Sequence, residues 1–343
     1  MLRTKKSALV AAVSLTAVGA LTLAGCTSTP EGPDATTGAE VVTLRIGTNV
    51  DTQHPYVRCG WDAWTDELDG LFDVQLFPAN QLGSNVEMVD SIISGNLEMT
   101  TVGASEIGQF WPRASVLEAP YLFDDFAHAQ TALASEEGQQ LLSDLQTETG
   151  LETLGMWYYG TRHFTTSDKE IRSSADLDGL KIRVPDNAVY LAAVEAMGAS
   201  ATPVAFSELY LALSQNVVDG QENPISTIAA QGFDEVQGVI SLTGHVVSTG
   251  LTVVNSDWYA DLSDEHKQAL AAVQEESTDA VRECIEKEET DYLTEWSDSG
   301  ALTVVDDVDR AELAQRVEGV LPAQFDETSD WGGLYETFRA MSN

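Results

Sequence analysis

One arginine lies where the chain passes from a strand into a loop, a place suited to binding an anion. The segment GLKIRVPDN spans residues 179–187. Its Leu180, Ile182 and Val184 alternate as they would along a buried strand, and a proline ends the pattern just after Arg183. A guanidinium is a rigid planar fork that binds a carboxylate through two parallel hydrogen bonds. By itself, the pattern favours an arginine on the wet face of an edge strand, or one paired with a neighbouring Asp, and a carboxylate site is the alternative.

Positive charge is scarce in this chain, which makes each arginine more informative. The 343 residues include 17 Lys and Arg against 55 Asp and Glu, for a formal net charge of −38. A phosphate backbone would be repelled by such a protein, so we exclude nucleic acid as a partner. We interpret the carboxylates as a solvated surface that keeps the protein soluble. An anionic ligand must be attracted against this overall field.

Motifs of the common enzyme classes are absent from the sequence. It contains no GxSxG, GxxxxGK[ST], HExxH or CxxC, and its five histidines do not fall at metal-ligand spacings. The paired acids of DGQE, residues 219–222, we interpret as part of an ordinary Asp-Gly turn. We therefore expect no cofactor, no metal and no catalytic residue. A secreted hydrolase with an unrecognised site stays an alternative, because catalytic groups need not be neighbours in sequence.

The elements that must position these side chains alternate between strands and helices. Residues 41–50 and 72–79 have the β-branched, alternating pattern of strands, and residues 54–70 between them have helical spacing. This βαβ rhythm predicts an α/β fold with a parallel or mixed sheet. One helix is predicted over 126–150 and a much longer one over about 264–297. The longer helix would measure about 50 Å, enough to run along two domains.

The N-terminus has the order of an export signal. A basic start is followed by an apolar run that ends in Leu-Ala-Gly-Cys, with the cysteine at position 26. The pattern is similar to that of bacterial lipoproteins, so we expect a signal peptide over 1–25 and lipid on Cys26. A plain signal peptide or a membrane anchor is the alternative. Residues 26–40 are polar and rich in Thr, Pro and Gly, which predicts a flexible tether to the outer face of the cytoplasmic membrane.

Two further cysteines follow the tether. Cys59 and Cys284 are 225 positions apart. An oxidising compartment would permit them to pair, but sequence separation alone does not decide between a disulfide and two free buried thiols.

Several segments together resemble a known family, the solute-binding subunits of TRAP (tripartite ATP-independent periplasmic) transporters. The resemblance covers about residues 41–330 and depends on the order and spacing of many motifs, each weak by itself. They are HPY (54–56), QLG (81–83), SGNLEM (94–99), APYLF (119–123), GTRHFTT (160–166), DLDGLKIRVP (176–185), MGASATPVAFSELYLAL (197–213) and VVDGQENP (217–224).

The resemblance implies roles for particular residues. Arg183 would form a two-pronged salt bridge with the carboxylate of the ligand, and Arg162 would support it. Asn223 would donate to the same carboxylate, and Phe206 would pack on the ligand, with plain core packing as its alternative. Other pocket positions vary within the family, and we expect them here at His54, Asn49, Ala104, Ser105, Trp157 and Tyr159.

The family also implies an architecture, a two-lobed α/β fold like that of periplasmic binding proteins, with the ligand in the cleft between the lobes. Domain I would comprise 41–160 and about 250–290, domain II would comprise 161–249 and about 291–343, and the long helix would span both. A monomer would close around its ligand and dock on integral membrane subunits, where an ion gradient drives import. The ligand class is open between sugar acids, keto acids and dicarboxylates. A binding protein of an ATP-driven importer is the nearest alternative.

Overall fold

The structure is a computed structural model that describes residues 41–342. The predicted signal peptide, the lipidation of Cys26 and the tether lie outside the described residues. Among the described residues, no helix combines the length and the apolar character needed to cross a lipid bilayer.

Nine strands of residues 41–342 form one mixed sheet. They are β1 (Val42–Gly47), β2 (Phe72–Phe77), β3 (Met99–Gly103), β4 (Leu151–Thr166), β5 (Lys181–Val184), β6 (Ser200–Pro203), β7 (Gly220–Pro224), β8 (Val239–Asn255) and β9 (Thr303–Val305).

The strand order is β2-β1-β3-β8-β4-β7-β5-β6, with β9 beside β8. Parallel pairs form the two flanks, β2-β1-β3 and β7-β5-β6. The long strands β4 and β8 join these flanks through antiparallel pairing. Their ladder shifts register at three places, one of them between Tyr158 and Gly160. Such irregularities bend a strand, so the two flanks are connected through bent central strands.

Helices alternate with the strands along the chain and follow the last strand. Within the described residues they are α1 (Asp62–Glu67), α2 (Asn85–Ile93), α3 (Ala104–Ile107), α4 (Phe126–Ala134), α5 (Glu136–Thr149), α6 (Ser174–Leu177), α7 (Ala188–Met197), α8 (Leu209–Ser214), α9 (Ile225–Ala230), α10 (Ser256–Asp261), α11 (Asp264–Ser299), α12 (Arg310–Glu318), α13 (Leu321–Thr328) and α14 (Leu334–Arg339).

The single helix predicted over 126–150 is two helices. Ser135 interrupts it with extended backbone, and its side chain accepts a hydrogen bond from Gly138 N at 3.1 Å. A serine in this conformation satisfies the first amides of the following helix, so it begins a new one. The helical pattern on either side of Ser135 is continuous, which is why periodicity alone joined α4 and α5.

The long helix α11 extends along both flanks of the sheet. Ser263 caps its N-terminus by accepting from His266 N. Near that end, His266 packs edge-on against Phe72 of β2. Near the other end, Trp296 donates to the carboxylate of Asp234 at 3.0 Å. The helix thus connects the β1 side of the sheet with the region that follows β7.

A disulfide fixes the middle of α11 to the N-terminal region. Cys59 lies in a π-helical turn, Tyr56–Trp61, and is bonded to Cys284. Beside it, the indole of Trp64 donates to Ser277 Oγ of α11 at 3.0 Å. A covalent and a polar contact therefore hold the helix against this turn.

A carboxyl group of α11 touches the central strand where that strand bends. Glu289 accepts a hydrogen bond from Thr161 N at 3.2 Å and one from the hydroxyl of Tyr158 at 3.4 Å. Gly160, between them, has φ of +120°, and a Cβ there would lie 2.7 Å from Glu289 Oε1. Burial raises the pKa of Glu289 to about 7.

We expect the substitution Glu289→Gln to remove part of the pH dependence of stability. Between about pH 4.5 and 7 the folded protein keeps a proton that the unfolded chain has lost, so the stability of the wild type falls as the pH rises through this window. The amide keeps the acceptor for Thr161 without the charge. At pH 8 the variant should exceed the wild type by about 1–2 kcal/mol in urea unfolding, and at pH 5 the gain should shrink.

A matched control removes a charge from the exposed surface of the same helix. Glu283→Gln should change stability equally at both pH values, because its side chain is 73% exposed. A Glu289→Gln variant with the same offset from wild type at pH 5 and pH 8 would contradict the prediction.

Candidate functional site

A cavity of about 450 Å³ lies between the two flanks of the sheet. One wall comes from the chain after β3 and includes Ser105. The facing wall comes from the chain after β5 and includes Asn187. The walls touch, since Asn187 Nδ2 donates to the carbonyl of Ser105 at 2.9 Å and Gln109 Nε2 donates to that of Asp186 at 3.4 Å. Two side-chain hydrogen bonds therefore bridge the two walls directly.

Arg183 is a buried cation on the wall of this cavity. Its strand β5 lies between β7 and β6, so it is not an edge strand, and the side chain is 2% exposed. Nε and Nη2 donate to the carbonyl of Val204 at 2.9 and 2.7 Å. No carboxylate of residues 41–342 lies within 4 Å of the guanidinium. Within residues 41–342, Arg183 therefore has neither an exposed edge position nor an Asp partner, the two alternatives to a ligand role.

Burial without a counter-ion destabilises the charged form of Arg183. Its pKa is lowered to about 10, chiefly by desolvation. A carboxylate in the cavity would supply both the missing negative charge and acceptors for the free edge of the guanidinium. The arrangement can bind an anion.

Arg162 is paired within the protein. Its Nε and Nη2 contact the two carboxylate oxygens of Glu222 at 2.5 and 2.8 Å, and its guanidinium stacks over Tyr190 at 5.1 Å from the ring centroid. Glu222 is fully buried, and although burial opposes it, Arg162 holds the pKa of the Glu222 carboxyl below its usual range. Interpreting DGQE as a simple turn was wrong, because Gly220–Pro224 is strand β7.

Asn223 connects Arg162 to the cavity. Its Oδ1 accepts from Arg162 Nη2 at 3.1 Å, and its Nδ2 donates to Gln221 Oε1 at 2.5 Å. Register explains the proximity, since β7 lies between β4 and β5 and pairs Gln221 with Arg183. All three of Arg162, Arg183 and Asn223 line the cavity.

Phe206 lies at the cavity and also packs against the core. It begins a 3₁₀ turn, Phe206–Glu208, and lines the cavity. Its ring also meets the buried ring of Phe233 edge-on at 6.1 Å. One face of this half-buried ring is therefore core, and the rest is available to a ligand.

The six remaining predicted positions divide equally. Asn49, Ser105 and Tyr159 line the cavity, whereas the lining does not include His54, Ala104 and Trp157. These three are fully buried behind it.

His54 supports the wall from behind. It stacks on Tyr159 at 5.3 Å between ring centroids, and burial lowers its pKa to about 3. A neutral imidazole in this place packs like a small aromatic ring.

Four carboxylates line the cavity and are absent from the predicted site: Glu87 and Asp186 are exposed, whereas Glu106 and Glu118 are not. Glu106 lies on α3, and Glu118 ends a 3₁₀ turn, Pro112–Glu118. Glu118 is 3% exposed and accepts from Ser105 N at 3.0 Å and from Ser248 Oγ at 3.2 Å. Burial, with the nearby Glu106 adding to it, raises the pKa of Glu118 to about 7. An acid within the apolar run VLEA was the sequence signal for it.

Comparison with known proteins identifies the family. The model of the bacterial extracellular solute-binding proteins, family 7 (DctP), matches residues 49–328. The sialic acid-binding periplasmic protein SiaP of Vibrio cholerae is 33% identical over 239 residues, covering 70% of this chain and 74% of SiaP. The 2,3-diketo-L-gulonate-binding periplasmic protein YiaO of Escherichia coli is 31% identical over 279 residues, covering 80% and 84%.

Solved structures agree in fold. A TRAP periplasmic solute-binding protein from Polaromonas sp. JS666, bound to D-erythronate, has a TM-score of 0.80 and 30% identity, covering 87% of this chain and 98% of that one. Such neighbours are two-lobed periplasmic binding proteins, so the predicted two-lobed α/β fold is confirmed. The family model spans well over half of the sequence, and the chain therefore belongs to the DctP family of bacterial extracellular solute-binding proteins, the solute-binding proteins of TRAP transporters.

Proposed function

We propose that this protein captures a small organic acid by its carboxylate, with Arg183 as the principal contact, and presents it to the membrane subunits of a TRAP transporter for ion-gradient-driven import. The observation that carries the proposal is a buried guanidinium without a counter-ion, facing a cavity of about 450 Å³. The ligands of the relatives support it, since sialic acid, diketogulonate and erythronate each carry a carboxylate. Membership in a transport family favours this role over that of a hydrolase.

Arg162 and Asn223 have supporting roles in this proposal. Glu222 already occupies two donors of Arg162, so we assign Arg162 mainly to holding Asn223 and to adding positive potential. Asn223 Nδ2 has one hydrogen beyond its bond to Gln221, which it can donate to the carboxylate.

The lobes in this proposal follow the predicted division, 41–160 with about 250–290 and 161–249 with about 291–343. In support, Ser105 and Asn187, which bridge the cavity, belong to different lobes under this division. Release of the ligand requires that bridge to break, and the bent central strands provide the place where the chain can flex. The protein acts as a monomer tied to the membrane by lipid on Cys26, outside the cytoplasm like other periplasmic proteins of its family.

A thermal-shift screen of organic acids tests the function. We expect at least one member of a panel of sugar acids, keto acids and dicarboxylates to stabilise the purified protein. At 1 mM, an acid bound with micromolar affinity would add about 4 kcal/mol. The matched control is the uncharged amide of the same acid, which cannot pair with a guanidinium and should produce no shift. Stabilisation by the amide equal to that by the acid, or no shift with any acid, would contradict the proposal.

A further inference from the structure

The two carboxylates opposite Arg183 bear on which acids the cavity accepts. Glu106 and Glu118 come from the chain that follows β3, whereas Arg183 lies on β5. Three strands, β8, β4 and β7, separate β3 from β5 in the sheet. One wall therefore presents these two carboxylates, and the facing wall presents the buried cation of Arg183 together with the exposed carboxylate of Asp186.

Gly103 allows the two carboxylates to face the same small volume. A Cβ at this position would lie 2.8 Å from Glu106 Oε2 and 2.8 Å from Glu118 Oε1. Gly103 itself lines the cavity. The absence of a side chain here brings both acids to the edge of the space that a ligand would fill.

Both carboxylates keep unused acceptor capacity. Glu118 accepts from Ser105 N and Ser248 Oγ. Glu106 accepts from Ser105 Oγ at 2.7 Å and from Asn85 Nδ2 at 3.5 Å. No lysine or arginine of the described residues lies within 4 Å of either one. A carboxylate offers about four lone-pair positions, so each has room for a further donor.

The charges of the cavity admit one carboxylate and disfavour two. Glu222 neutralises Arg162. Among the described residues that line the cavity, Arg183 is therefore the cation that has no ion-pair partner. A ligand with one carboxylate matches that charge. Above about pH 7, where Glu118 is ionised, a second carboxylate would meet the charges of Glu106 and Glu118 in a desolvated space, where like charges strongly disfavour binding.

We infer that the ligand is a polyhydroxylated acid with a single carboxylate, a sugar acid of the aldonate type, and that Glu106 and Glu118 determine this specificity. They accept hydrogen bonds from its hydroxyl groups and repel a second carboxylate. The inference rests on the proposed function, because it assumes that Arg183 binds the first carboxylate. Neutral amides at Asn49, Asn80 and Gln109 line the same cavity and suit hydroxyl groups as well.

Matched pairs of acids test this by titration calorimetry with the purified protein at pH 8, above the pKa of about 7 of Glu118. D-Erythronate against meso-tartrate, and D-gluconate against D-glucarate, differ in the replacement of a terminal CH₂OH by a carboxylate. We expect one of the monocarboxylates to bind at least about 100-fold more tightly than its partner. Butyrate, which has the carboxylate and no hydroxyl, should also bind at least about 100-fold more weakly than D-erythronate.

Two variants test whether Glu106 and Glu118 cause the preference for monocarboxylates. Glu118→Gln and Glu106→Gln keep an acceptor oxygen and remove the charge. Each should therefore lower the ratio of monocarboxylate affinity to dicarboxylate affinity within a pair by about tenfold. Either variant suffices if the other does not fold. Glu283→Gln removes one charge from the exposed surface of α11 and should leave the ratio unchanged.

The outcomes separate the inference from the proposed function. Dicarboxylates that bind as tightly as their partners, or a ratio that neither variant changes, would overturn the inference alone. Tighter binding of D-glucosaminate than of D-gluconate would overturn the hydroxyl part, since an ammonium group would then be the preferred partner of the carboxylates. A protein that binds none of these acids, nor any other acid, contradicts the proposed function and the inference together.

Discussion

Arg183→Ala is expected to abolish ligand-induced stabilisation while the protein stays folded. Truncating one partner of a buried ion pair costs roughly 3–5 kcal/mol, which weakens binding by several hundred-fold or more. The ligand-free variant should unfold within a few degrees of the wild type, because the guanidinium is desolvated without a counter-ion and bonds only one carbonyl, that of Val204, among the described residues. Calorimetry with the tightest acid of the panel measures the loss.

A second substitution at the same position separates shape from charge. Arg183→Lys keeps a positive charge but replaces the planar fork by a single ammonium, so it should also bind poorly. Arg282→Ala, on the exposed surface of α11, is the control and should bind like the wild type. If Arg183→Ala binds the acid within threefold of the wild type, the assignment of the site fails.

The largest loss of stability should follow substitution of Glu222. In Glu222→Gln the guanidinium of Arg162 would be left buried without its counter-ion, which we expect to destabilise the protein by about 3 kcal/mol or more. Urea unfolding of the ligand-free protein measures this. The double variant Arg162→Met, Glu222→Leu should recover part of the loss, because it removes both charges together.

An exposed ion pair provides the comparison for Glu222. Lys287 and Asp291 pair on the surface of α11, with side chains 74% and 60% exposed. Asp291→Asn should change stability by less than about 1 kcal/mol, since water screens such pairs. A Glu222→Gln variant as stable as Asp291→Asn would show that the buried pair is not what holds β4 against β7.

The sequence predicts the strand that carries Arg183, because the signal for that strand is local. Alternating apolar residues identify β5, but the burial of Arg183 does not follow from that alternation, because Ile182, Arg183 and Val184 are all buried. The partner of Arg162 is not local. Glu222 is 60 positions away and becomes a neighbour through the pairing of β4 with β7. Since an Asp-Gly dipeptide ordinarily predicts a turn, the strand that carries Glu222 was missed.

Strand β8 shows the same limit in secondary structure. Its second half contains Leu251, Val253 and Val254, which have the apolar, β-branched character of a strand. Its first half contains Ser241, Thr243 and His245, which interrupt the apolar pattern and yet are buried. They are accommodated by partners that sequence does not reveal: His245 contacts Glu222 at 3.2 Å and stacks on Phe164. Buried polar residues whose hydrogen bonds are made inside the protein interrupt the alternation of apolar residues on which strand prediction depends.

A crystal structure of the protein with the tightest acid of the panel tests the central claim most directly. The account predicts the carboxylate of the ligand about 3 Å from two nitrogens of Arg183, inside the cavity between Ser105 and Asn187. A ligand whose carboxylate contacts other groups, with the Arg183 guanidinium turned toward solvent or still bonded to Val204 alone, would contradict it.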